Sequence, residues 1–165
     1  MEDVLVSGVA HDRDQAKVTL LRVPDRPGLA ARVFGSIAGA GIVVDMIIQN
    51  ASADGTTDLT FTVPRGDFEK ALSMVKREEA GLGAHGIATD PNVAKVSIVG
   101  LGMRSHAGVA ARMFDVLAAE GINIQMISTS EIKISVVVDE KYTELAVRAL
   151  HDAFISPRPK EEART

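Results

Sequence analysis

Apolar and polar positions change period several times along the chain, and each change marks an element. Val18, Leu20 and Val23 stand among few polar residues in Ala16 to Val23, a strand that ends where two prolines and a glycine follow in Pro24-Asp25-Arg26-Pro27-Gly28. From Leu29, the apolar residues Val33, Phe34, Ile37 and Ala38 recur at helical spacing until Gly39 and Gly41 stop the pattern. Ile42 to Gln49 reads as a strand, Asn50 to Thr56 as a hairpin rich in Ser, Asp and Gly, and Leu59 to Val63 as the returning strand. A second helix is expected from Asp67 through Phe68, Ala71, Leu72 and Val75, and Gly81 to Gly86 then leads to a short strand near Ile87. The order is βαββαβ.

The pattern then repeats. Gly28 to Ile47 and Gly108 to Ile127 are identical at ten of twenty positions with a constant offset of eighty, and Ala16-Lys17-Val18 is echoed by Ala94-Lys95-Val96. The second copy runs Lys95 to Leu101, Gly108 to Glu120, Ile122 to Thr129, Ile132 to Val138 and Lys141 to Phe154, one strand short. Beyond it, Ile155-Ser156-Pro157-Arg158-Pro159 and a charged tail cannot make a buried strand. Val4 to Val9, by contrast, is an apolar β-like run with no place in the first copy. The N-terminal strand is therefore expected to cross over and complete the second sheet. The expected class is α+β: two tandem ferredoxin-like βαββαβ modules interlocked through that strand. Residues 16–90 form the first, 94–155 with 3–10 the second, and 156–165 a tail expected to be disordered.

Composition narrows the function more by exclusion than by indication. A net charge of −4, one Tyr and no Trp argue against a nucleic-acid surface, which needs clustered Lys and Arg and stacking aromatics. The chain has no cysteine, and no charged-then-apolar leader or long apolar run lies near Met1, so a cytoplasmic, non-membrane protein is expected. His11, His85, His106 and His151 are scattered without metal-ligand spacing, and no nucleophile elbow or paired carboxylates occur. Gly100-Leu101-Gly102 lacks the third glycine and the βαβ setting of a phosphate loop. No catalytic group, metal or cofactor is expected.

The most informative local feature is the turn into the first helix of each copy. At Asp25-Arg26-Pro27-Gly28-Leu29-Ala30 a helix begins with unsatisfied amides and the positive end of its dipole, an arrangement that suits a carboxylate. Gly28 and Ala30 leave room for a ligand, and Asp25 can accept a bond from an ammonium group. Pro-Gly is equally an ordinary helix start. Polar residues of the second strand and hairpin, Asp45, Gln49, Asn50 and Ser52, are expected to face this turn; their counterparts are Asn123, Gln125, Ser128, Thr129, Ser130 and Glu131. Hairpin positions facing water explain the same residues.

The strand followed by Asp25-Arg26-Pro27-Gly28, then Ala30-Ala31-Arg32-Val33-Phe34, Gly41-Ile42 and a polar second strand, resembles an ACT domain. The tandem is similar to the regulatory part of aspartate kinase. Val44 to Asn50, Asp54 to Thr62, Lys95 to Gly100 and Ile127 to Val136 carry the likeness, which extends from Val4 to Phe154. The resemblance implies a module that binds end-product amino acids, threonine and in some members lysine, and inhibits the phosphorylation of aspartate by ATP. Implied effector-binding residues are Asp25, Gly28, Leu29, Ala30, Gln49, Asn50, Ser52 and Thr60 in the first copy. In the second they are Val109, Ala110, Asn123, Ile124, Gln125, Thr129, Ser130 and Glu131. Implied partners are a second copy of the chain, with effectors between the first domain of one chain and the second of the other, and a full-length aspartate kinase α subunit. Members include a small β subunit starting at an internal Met, which this chain matches from its first residues; a C-terminal fragment would read the same. Ala107 replaces the usual proline, Ala110 a common threonine and Gln125 an often acidic residue, which leaves the second site's preference open. The alternative is a stand-alone amino-acid sensor acting on a different partner.

Overall fold

The computed structural model describes residues 6–102 and 107–155, which fall into two compact units: Asp14–Val93, and residues 6–13 with 94–102 and 107–155. Ten elements run through them: β1 (Val6–Pro24), α1 (Leu29–Gly39), β2 (Ile47–Ala51), β3 (Thr56–Val63), α2 (Phe68–Leu82), β4 (Gly86–Gly100), α3 (Ala107–Ala119), β5 (Met126–Thr129), β6 (Lys133–Asp139) and α4 (Thr143–Phe154). Val4, Leu5, residues 103–106 and those from Ser156 onward lie outside the described residues.

In the first unit the strand order is β2-β3-β1-β4. β1 and β3 pair antiparallel from Ala16 opposite Val63 to Leu20 opposite Leu59. Alternate residues Val18, Leu20, Leu59, Phe61 and Val63 form the core with Val33 and Ile37 of α1 and Ala71 and Val75 of α2. Phe34 meets the edge of Phe61 at 5.4 Å between ring centroids. On the opposite side of the sheet the Thr19 and Thr60 hydroxyls bond at 2.9 Å.

The second unit has the order β1-β4-β6-β5. Here the first part of β1 supplies the missing strand: Val6 is buried in a core with Val96, Ile98, Met113, Leu117, Val136, Val138 and Leu150, and the Ser7 hydroxyl donates to the Val99 carbonyl at 3.1 Å. The crossover expected from the unmatched apolar run is present. The Ser97 and Ser135 hydroxyls, 2.7 Å apart, repeat the Thr19–Thr60 pair.

The duplicated residues have identifiable duties. Gly41 at φ 75° ends α1, with Gly41 N–H donating to Ala38 O at 2.9 Å and Ile42 N–H to Ile37 O at 3.3 Å. Gly121 at φ 71° ends α3 with the same two bonds, to Ala118 and Leu117, both at 3.0 Å. Only glycine enters this left-handed cap without strain, and the following isoleucine is buried against the helix it closes.

Two strand expectations need correction. Ile42–Gln49 and Ile122–Thr129 were expected to be strands from their first residues, but ladder pairing begins only at Ile47 and Met126. The preceding residues are occupied by the helix caps and by bridging contacts, Asp45 N–H to Thr62 O at 3.0 Å and Gln125 N–H to Val137 O at 2.8 Å. Likewise the separate strands expected on either side of residues 10–15 and 88–94 are continuous 19- and 15-residue strands. Their polar midsections stay extended because outside groups hold them: Asp14 accepts from Arg65 N–H at 2.9 Å, and Arg65 Nε donates to Pro91 O at 3.0 Å.

The β2–β3 hairpin turns at Ser52-Ala53-Asp54-Gly55, with Gly55 at φ 78°. One carboxylate oxygen of Asp54 accepts from the Ser52 hydroxyl, from the Thr56 hydroxyl at 2.6 Å and from Thr56 N–H at 3.0 Å. The Ser52 hydroxyl first, then the two Thr56 donors and Arg22, hold this exposed carboxyl well below its ordinary pKa. Because it ionises below the usual value of 3.8, the hairpin gains support above that pH and loses it as the pH falls further. The protection of the Gly55 and Thr56 amides, measured against their intrinsic exchange rates at each pH, is expected to fall on acidification below that value, and Asp54→Ala to abolish that pH dependence. An unchanged profile in the variant would show that another group is responsible.

Candidate functional site

The turn into α1 is fixed from both sides. β1 reaches it through a bulge between Leu20 and Val23, where Arg22 takes φ 49°, an uncommon conformation for a residue with a Cβ. Asp58 secures the bulge by accepting from Arg22 N–H at 2.8 Å, while the Arg22 guanidinium lies 3.8 Å from Asp54. The register then places Pro24 opposite Thr56, and Asp25 N–H donates to Gly55 O at 2.9 Å. Asp25 is thereby tied to the hairpin tip that carries Ser52.

Gly28 at φ 90° precedes α1 with open space where a Cβ would stand. Leu29 buries its side chain in the core, and its amide closes the turn on Arg26 O at 3.2 Å. The first helical bond is Arg32 N–H to Gly28 O at 3.0 Å, so the amides of Gly28, Ala30 and Ala31 have no acceptor within the helix. The expectation that all amides from Gly28 to Ala30 are open is thus corrected at Leu29. Beside this helix end lies a cavity of about 160 Å³ whose lining includes Arg26, Gly28, Leu29, Arg32 and Gly81. Arg32 bonds Glu78 at 2.8 Å and reaches Gly81 O at 3.5 Å, bracing the end of α2. Its repeat counterpart Arg112 donates to Ala153 O at 2.6 Å and covers the Phe154 ring, bracing the end of α4. The open amides of a helix N-terminus favour negative charge, and Arg26 lines the cavity beside them, while Arg32 is engaged by Glu78.

The remaining residues divide by strand face. Gln49, opposite Leu59 on edge strand β2, lies on the helix-bearing side and is exposed; Asn50 accepts from the Thr57 hydroxyl through its carbonyl at 2.5 Å. Thr60 sits on the helix-free side, bonded to Thr19, and so is not gathered with Gly28 and Ala30. In the second unit Val109 and Ala110 are half-buried in the first turns of α3, and Ile124 packs on the core. Asn123 and Glu131 are exposed, and Thr129 ends β5 opposite Ile134. Ser130 is a hairpin tie: its N–H donates to Lys133 O at 2.8 Å, and its hydroxyl accepts from Lys133 N–H at 3.2 Å. Arg22, Asp54, Asp58, Arg26 and Arg32 were missed. The Arg32/Arg112 identity within the repeat was the available signal for the last of these.

Each unit, then, is a βαββαβ module with two helices on one face of its sheet, and in the first a cavity lies beside the amides that open its first helix. The chain carries two such α+β modules in tandem. The ACT domain family matches residues 22–78 and 96–154, one stretch in each unit, and the chain belongs to that family. It is 58% identical over 162 residues to the aspartokinase of Pseudomonas aeruginosa, covering 98% of this chain and 39% of that protein. The chain thus spans about two fifths of the length of such relatives. Among solved structures, the ligand-free regulatory subunit of aspartate kinase from Thermus thermophilus has a TM-score of 0.85 and 44% identity, covering 90% of this chain and 98% of that one. A structure of aspartokinase alpha and beta subunits has a TM-score of 0.84 and 58% identity with the same coverage. The tandem is homologous to the regulatory region of aspartokinase.

Proposed function

We propose that this chain binds L-threonine at the α1 end of its first module and thereby mediates feedback inhibition of aspartate phosphorylation by a full-length aspartate kinase α subunit. The observation that carries the reading is the turn itself: glycine at φ 90°, the amides of Gly28, Ala30 and Ala31 with no helical acceptor, and the Asp25 backbone held against the hairpin. The amides take the effector carboxylate, Asp25 its ammonium and Gln49 its hydroxyl. A homodimer covers the site, a role suited to edge strand β2, where Ile47 is 52% exposed, and to β5, where its counterpart Ile127 is 44% exposed. Lysine is the second effector. Aspartokinase III of E. coli, 25% identical with a TM-score of 0.69 and 94% of this chain covered, has been solved with lysine and aspartate.

Calorimetric titration of the pure chain with L-threonine and L-lysine tests this. A ligand of about eight heavy atoms is limited to roughly −1 kcal/mol per atom, so micromolar to millimolar affinity is expected for threonine. At a hundredfold excess over Kd the chain gains about 2.7 kcal/mol of stability. No heat, together with an unshifted melting temperature in millimolar threonine, overturns the proposal.

A further inference from the structure

The second unit contains a larger cavity, of about 280 Å³, between β1 and α4. Its size approaches that of small-molecule sites. Thr143 at its floor and Val147 are its least polar lining residues, and His11, Arg13, Arg148 and His151 bring guanidinium and imidazole groups to it, with Glu144 and Asp152 beside them. Arg13 is spent on Glu144 at 3.2 Å. That leaves Arg148 and Asp152, one charge of each sign, with the imidazoles of His11 and His151 as further hydrogen-bonding groups.

Comparing the two modules shows that the fold alone does not require this cavity. α2 and α4 each follow a three-residue 3₁₀ turn, Arg65–Asp67 and Glu140–Tyr142, and their buried residues correspond: Ala71 with Ala146 and Val75 with Leu150. By the same alignment Phe68 corresponds to Thr143, Leu72 to Val147 and Ser73 to Arg148. In the first module Phe68 and Leu72 pack onto the core. In the second, smaller side chains stand where those two fill space, and an arginine stands where the first has serine. Leu150 in place of Val75 restores volume deeper in the core, so the space is opened at the β1-facing rim, where the added arginine also stands, a combination that suits a ligand.

We infer that the cavity between β1 and α4 of the second unit is a separate binding site for a small aliphatic carboxylate. The carboxylate pairs with Arg148, assisted by His11 and His151, and the aliphatic body rests on Thr143 and Val147. An amino acid would add an ammonium group toward Asp152; a simple carboxylic acid would not.

The test follows the imidazole NMR signals of the whole chain during titration with L-leucine and with 4-methylpentanoate, which share a skeleton and differ in the ammonium. Saturable shifts of His11 and His151, with His85 unmoved, are expected for at least one probe. Tighter binding of leucine identifies an amino acid as the occupant; tighter binding of 4-methylpentanoate identifies a simple acid. Arg148→Ser, at an exposed position and copying the first module, is expected to weaken binding about tenfold or more. Thr143→Phe, which restores the first module's filling residue, is expected to abolish it. Shifts that stay linear to tens of millimolar for both probes, equal movement of His85, or unchanged affinity in Arg148→Ser would each overturn the inference.

Discussion

Deleting the chain through Ala10 is expected to destabilise the second unit while leaving the first folded. Val6 is 6% exposed among the core residues of that unit, and burying a valine contributes about 1.5–3 kcal/mol. Each ladder hydrogen bond between β1 and β4 adds about 1 kcal/mol, as does the bond from Ser7 to Val99 O. Together these are a large share of the 5–15 kcal/mol typical of a small domain. The deletion also uncovers β4 from Ala94 to Gly100 as an apolar edge, which invites intermolecular pairing and aggregation. Hydrogen exchange on the truncated chain is the decisive measurement. Deprotection is expected along Lys95 to Gly100 and β6, with β2 and β3 still protected. Deprotection confined to Asp14–Val93 would contradict the assignment of the N-terminal strand.

The crossover was legible because an apolar run was left over in one module and a strand was missing from the other. Helix limits were legible for a related reason: Gly41-Ile42 and Gly121-Ile122 are local caps whose bonds span only six residues. Strand limits were less so. Whether Ile42 to Met46 pairs in a ladder depends on a partner some sixteen positions away, here the Thr62 backbone and hydroxyl, and apolar periodicity cannot distinguish a paired residue from one that merely approaches the sheet.

The same contrast applies to the site. Gly28 announces a turn, and the structure gives it a left-handed φ. The bulge at Arg22 gives no such sign, since a charged residue at φ 49° breaks the usual preference and is held by Asp58, thirty-six positions later. Thr60 illustrates the remaining difficulty. Strand parity puts it on the side away from α1, so resemblance gathered residues that one chain's geometry keeps on opposite faces of the sheet.

Ala30→Val is expected to desensitise the protein to threonine while leaving it folded. Ala30 is the second residue of α1 and is exposed, so a valine there costs only the few tenths of a kcal/mol by which β-branched residues disfavour helix. Its two methyl groups would stand beside the amides of Ala30 and Ala31, where the effector carboxylate is proposed to bind. Gln49→Ala removes a side chain from exposed strand β2 without touching the core and is expected to act in the same direction. One hydrogen bond to a charged ligand contributes roughly 1.5–3 kcal/mol, so each variant is expected to weaken threonine binding about tenfold or more. If the two groups hold opposite ends of one ligand, the double variant loses less than the sum of the single losses, because either change alone already displaces the ligand. Calorimetry on the parent, both single variants and the double variant measures this coupling, and circular dichroism confirms that all four are folded. Folded variants that bind threonine as the parent does would place the effector away from the α1 turn.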